Sequence, residues 1–110
     1  MNPNGIFYRT GSIPGRVIIP YAVLDILERK HAMKALLSVL EKGRMNKTEL
    51  VESISVGASS VSSRIDELSE AGLFHVEEEE FPPFRKMVSL TDMGEQVAEL
   101  ISSIHGKLSD

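Results

Sequence analysis

Residues 48–73, TELVESISVGASSVSSRIDELSEAGL, decide how this chain of 110 residues folds. Apolar side chains recur at Leu50, Ile54, Val56, Val61, Ile65, Leu68 and Leu73, on either side of Gly57. Spacings of three and four residues gather each set on one face of a helix, and the glycine between them permits a tight turn. The segment therefore reads as two short helices meeting at an angle, a helix-turn-helix.

Local signals fix the ends of both helices. Asn46 and Glu49 stand three residues apart, the spacing of a reciprocal capping box, which opens a helix over about Lys47 to Ser53. Gly57 is a tolerable N-cap for the next helix, expected from Ala58 to about Ala71. Gly72 suits the left-handed position past its end, and Leu73 supplies the apolar contact of a Schellman ending. With Val61, Ile65 and Leu68 inward, a rotation of 100° per residue points Ser59, Ser63, Asp66 and Glu70 outward, flanks them with Ser62 and Glu67, and leaves Arg64 at the margin. A rod presented in this way matches the width of the DNA major groove, and hydroxyls near its N-terminus can donate to bases or phosphates.

Working outward toward the N-terminus, Met33, Leu36, Leu37 and Leu40 predict a helix from His31 or Ala32 to about Lys42, closed by Gly43. Pro20 suits the start of an earlier helix running to about Arg29, with Leu24 and Leu27 turned inward. Arg16 to Ile19 reads as a short strand, and residues 1–16, broken by Pro3, Gly5, Gly11, Pro14 and Gly15, read as an extended arm. Toward the C-terminus, Phe74 and Val76 begin a strand, Phe81-Pro82-Pro83-Phe84 interrupts it, and Arg85 to Leu90 returns, which makes a β-hairpin whose tip leaves the core. Thr91 caps a last helix of about Asp92 to His105, extending as far as Leu108 on its apolar pattern. Its stripe of Met93, Val97, Leu100, Ile101, Ile104 and Leu108 exceeds what a small domain needs to cover, so Val97, Leu100, Ile101, Ile104 and Leu108 are expected to join two copies of the chain. The expected class is mainly α with a small β-hairpin, α+β, divided into an arm over 1–20, a body over 21–91 and a C-terminal helix over 92–110.

Bulk properties narrow the function classes. A chain with 42% hydrophobic residues builds one core. It has no cysteine, and His31, His75 and His105 are too far apart for a local metal motif, so no metal and no cofactor is expected. The longest apolar run, Val17 to Leu24, is broken by Pro20 and is far shorter than the ~20 residues that span a bilayer. With no signal-peptide pattern either, a cytoplasmic protein is expected. Asn46-Lys47-Thr48 matches a glycosylation sequon, but the cap is the better use of Asn46. No nucleophile, base and orienting acid assemble from these residues, and Gly11 to Gly15 lacks the lysine and following helix of a phosphate loop, so an enzyme is not expected.

The order helix, helix-turn-helix, hairpin and then Leu90-Thr91-Asp92-Met93-Gly94 resembles the winged-helix transcription regulators of the MarR and ArsR type. Three pieces carry the resemblance over about Ala32 to Ile101: Thr48-Glu49-Leu50, the run Ser62 to Leu68 continuing into Glu70-Ala71-Gly72-Leu73, and the Leu-Thr-x-x-Gly after the hairpin. It implies a winged helix-turn-helix that binds double-stranded DNA, with Ser59, Ser60, Ser62, Ser63 and Arg64 at the groove, Lys47 and Thr48 beside them, and Arg85 with Lys86 on the wing. It also implies a homodimer joined by terminal helices; a small-molecule effector would lie between dimerisation and reading elements, though no residues mark its pocket.

Charge departs from this pattern. The net charge of −4 divides into +3 over residues 1–43, −4 over 44–90 and −3 over 91–110. Glu77 to Glu80 occupy the wing where phosphates would favour lysine and arginine, and Asp66, Glu67 and Glu70 load the distal half of the reading helix. The glutamates read as a solvated strand surface partly neutralised by Arg85 and Lys86. The same acids motivate the competing reading, a winged-helix protein-interaction module that does not bind DNA.

Overall fold

The computed structural model describes residues 23–54 and 58–110. The expected arm and strand, the start of the helix at Pro20, and the Gly57 cap lie outside them. Eight elements follow in order: α1 (Asp25–Glu28), α2 (Ala32–Lys42), β1 (Met45–Asn46), α3 (Lys47–Ile54), α4 (Ala58–Glu70), β2 (Phe74–Glu78), β3 (Lys86–Leu90) and α5 (Asp92–Ser109).

Each boundary has a local cause. The α2 helix ends at Gly43, whose φ of 82° is open to glycine at little cost and whose N–H donates to the Val39 carbonyl at 2.8 Å. The capping box at α3 is complete: the Glu49 N–H donates to Asn46 Oδ1 at 2.8 Å, and the Asn46 N–H donates to Glu49 Oε1 at 3.2 Å. The α4 helix closes in a Schellman motif, with Gly72 donating to the Ser69 carbonyl at 3.1 Å and Leu73 to the Leu68 carbonyl at 2.9 Å. Thr91 caps α5 by accepting from the Gly94 N–H at 2.9 Å, while its hydroxyl donates to the Gly72 carbonyl at 2.6 Å.

The hairpin pairs Phe74 with Leu90, Val76 with Val88 and Glu78 with Lys86, all antiparallel. Sequence reading gives two strands here, and the structure adds a third. Met45 and Asn46 pair antiparallel with Val88 and Met87, so the order across the sheet is β1, β3, β2. Two residues carry no alternation of their own; this pairing is made by a segment far away in sequence.

Leu36, Leu50, Val61, Ile65, Leu68 and Val88 are fully buried where α2, α3 and α4 meet the inner face of the sheet. Each such side chain contributes roughly 1.5–3 kcal/mol. Ala98 and Ile101 of α5 close the core against α2. Two expectations are corrected: Leu24 and Met33 are exposed rather than inward, at 47% and 42%. On α2 the buried set is Ala32, Ala35, Leu36 and Val39, a face rotated toward the alanines, and α5 packs against this helix. The C-terminal helix runs to Ser109, one residue past the expected limit at Leu108.

Candidate nucleic-acid interface

The outer side of α4 faces away from this core. Val61, Ile65 and Leu68 hold the helix down at zero exposure, Ser63, Asp66 and Glu70 are exposed, and Ser60, Ser62 and Glu67 are half-buried at its flanks. The face read from helical rotation is therefore the face presented. The side chain of Ser59 lies outside the described set.

Beside α4 is an open cleft of about 730 Å³, walled by the start of α3 and by the wing. Lys47 and Thr48 line it from α3, Ser62 from α4, and Phe84, Arg85 and Lys86 from the wing. Five of the candidate contact residues, Lys47, Thr48, Ser62, Arg85 and Lys86, are thus brought around one concavity, and Ser63 is exposed on the same helix as Ser62.

Arg64 is not among the residues that line this cleft. Its side chain is only 13% exposed and donates through a terminal nitrogen to Glu67 Oε1 at 2.6 Å, while its Nε is buried without a partner. Glu67 sits one turn further along the same helix and also lies 3.7 Å from Arg29. A carboxylate at i+3 draws the guanidinium back along the helix and away from the outer face.

Two other cations at the cleft carry carboxylates of the same chain. The Lys47 ammonium donates to Asp66 Oδ1 at 2.8 Å, linking α3 to α4. Arg85 makes a two-pronged contact with Glu79, Nε to Oε1 and a terminal nitrogen to Oε2, each at 3.0 Å. The Arg85 hydrogen bond holds the Glu79 carboxyl below its ordinary range, and the same contact raises Arg85. Lys86 makes no ion pair among the described residues and stands exposed across the strand from Glu78.

The wing tip brings an element that charge reading missed. Phe84 donates its N–H to the Phe81 carbonyl at 2.9 Å, closing a turn that leaves Phe81 74% and Phe84 50% exposed. The signal was present in the sequence: prolines between two phenylalanines stiffen a turn whose side chains have no core to reach.

On α5 the predicted seam divides. Ile101 is buried and Val97 packs against the core of its own chain, so these two are corrected from the seam to the interior. Leu100, Ile104 and Leu108 remain outward at 67%, 54% and 82%, with Met93 at 60%.

A family model for HxlR-like helix-turn-helix proteins matches residues 26–109, the whole span from α1 to α5. The chain belongs to the HxlR-like helix-turn-helix family. The winged-helix regulator resemblance drawn from residues 48–73 and 90–94 is thereby borne out and narrowed to this family. A possible HxlR family transcriptional factor from Thermoplasma volcanium has the same fold, with a TM-score of 0.69 and 27% identity over 84% of each chain. A transcriptional regulator homologue from Pyrococcus horikoshii matches at a TM-score of 0.65 and 18% identity, over 80% of this chain and 91% of that one. A MarR protein from Peptoclostridium difficile matches at 0.67 and 22% over 79% of this chain, which spans 56% of its length. No curated protein sequence matches. No helix among the described residues is long and apolar enough to cross a membrane.

Proposed function

We propose that this HxlR-like chain is a DNA-binding transcriptional regulator that lays α4 in the major groove and rests the wing on the flanking backbone. The observation that carries the reading is the outer face of α4, where Ser63 is exposed and Ser62 opens onto a cleft bordered by Lys47, Arg85 and Lys86. Family membership and the names of the related structures support it. Ser62 and Ser63 would meet base edges or phosphates, Lys86 and Arg85 the backbone, and Thr48 the phosphate next to the start of α3. The outward apolar side chains Leu100, Ile104 and Leu108 support a homodimer through α5. Two copies related by a twofold axis would place their reading helices about 34 Å apart, one turn of DNA, and so bind a pseudo-palindromic site.

Fluorescence polarisation on a random-sequence duplex, titrated with salt, tests this reading. Binding at low salt that weakens linearly on a logarithmic scale is expected, at a slope of about −0.9 per neutralised phosphate. Lys86→Ala should weaken binding to every duplex, and Ser63→Ala should change preference among duplexes. An absence of affinity at low salt would overturn it in favour of the protein-interaction module, which the exposed Phe81 and Phe84 beside Glu77 to Glu80 favour.

A further inference from the structure

We infer that the carboxylates of Glu79 and Asp66 occupy the positions that DNA phosphates take on Arg85 and Lys47, so that the chain binds DNA by exchanging its own oxyanions for those of the duplex. The inference rests on the DNA-binding reading and says how that interface is held in check.

Three observations carry it. First, the Glu79 to Arg85 contact is the parallel two-bond arrangement by which a guanidinium recognises either a carboxylate or a phosphate, with both distances at 3.0 Å. Second, the two occupied cations stand on one concavity: Lys47 and Arg85 both line the cleft beside Ser62, and Arg85 with Glu79 also lines a second cleft of about 460 Å³. Third, both pairs are open to solvent on at least one partner, Asp66 at 64% and Arg85 at 52%. Lys47 and Glu79 are the more covered partners, at 18% and 25%; pairs open on one side contribute little to stability, so a polyanion can compete for the cation. The backbone keeps the wing in shape during the exchange, because Glu79 still donates its N–H to the Arg85 carbonyl at 2.9 Å.

Exchange explains how an acidic wing and a DNA-binding cleft coexist. The acids are not all equivalent: Glu79 masks a cation, whereas Glu80 makes no ion pair among the described residues. Neutralising Glu79 should therefore release Arg85 as well as remove a negative charge, and neutralising Glu80 should only remove the charge.

Binding of a random-sequence duplex by the full chain at low salt, read by polarisation, separates these cases. Glu79→Gln is expected to tighten binding about fivefold, the ratio corresponding to loss of one exposed ion pair. Glu80→Gln, with the same change in net charge at the next residue along the wing, is expected to tighten it no more than about twofold. In an Arg85→Ala background the Glu79→Gln gain should fall to the Glu80→Gln level. Asp66→Asn, with Lys47→Ala as its background, repeats the test at a site where the wing is untouched. Equal gains from Glu79→Gln and Glu80→Gln, in a parent that does bind, would overturn the exchange while leaving the DNA reading intact. If neither the parent nor the neutralised variants bind, both readings fall. Binding by Glu79→Gln alone would support the exchange in its strongest form.

Discussion

Gly94 on α5 lies so close to Leu73 that a Cβ built on it would meet the Leu73 carbonyl oxygen at 1.9 Å. Two effects then compete in Gly94→Ala. Helix propensity favours alanine by about 1 kcal/mol, and the collision with backbone forces α5 away from the end of α4. Backbone cannot swing aside as a side chain does, so the collision should win, with a net loss of about 2 kcal/mol. Urea unfolding checks this, and a variant more stable than the parent would show that α5 can shift freely.

Asn46→Ala removes one half of the capping box and leaves the Glu49 N–H without its acceptor. A loss of about 1 kcal/mol is expected. Asn46→Asp should restore most of it, since a carboxylate accepts the same bond and favours the helix N-terminus. Thermal denaturation of the three proteins under one buffer is sufficient.

Leu68→Ala, directly beneath the reading face, should cost about 3 kcal/mol through lost burial and the cavity left behind. Ser63→Ala, a few residues away but exposed, should stay within about 0.5 kcal/mol. This contrast between the two faces of α4 would vanish if α4 lay against the core by its serine side.

Acidification should release the wing pair. Because Arg85 holds Glu79 below its ordinary 4.5, the contribution of the pair is complete above that value and is lost as pH falls through the depressed one. The stability difference between the parent and Glu79→Gln should thus be constant from about pH 7 down to 4.5 and shrink toward zero below it. A difference that grew on acidification would contradict the sign.

Leu100→Glu with Ile104→Glu should convert a dimer into a monomer by sedimentation equilibrium while cooperative unfolding persists. Ile101→Glu, one residue along, should instead unfold the chain, because only 6% of that side chain is exposed. A parent that sediments as a monomer would remove α5 as a seam.

Helix ends were legible because their causes are local: Asn46 with Glu49, Gly43, Gly72 with Leu73, and Thr91 each act within a few residues. The buried stripe of α4 was legible for the same reason, and with it Ser62 and Ser63. What sequence hid was made by distant partners. Nothing within Met45-Asn46 announces that β3 will pair with it, and the bond from Lys47 to Asp66 spans 19 residues. Rotation put Arg64 at the margin of this face, where it is half-buried; rotation fixes where a Cβ points, not where a long flexible side chain ends, and Glu67 decides that. On α5, period alone could not divide Ile101 from Leu100 until the alanine face of α2 showed which side it covers.

The hydroxyl of Thr91 ties the turn that closes α4 to the first turn of α5 by donating to Gly72 and accepting from Gly94. One side chain thus holds the end of α4 and the start of α5 at a shared joint, so a partner gripping α5 would pull on the segment that closes α4, and Thr91→Val, which keeps the shape and loses both bonds, is the substitution that would loosen it.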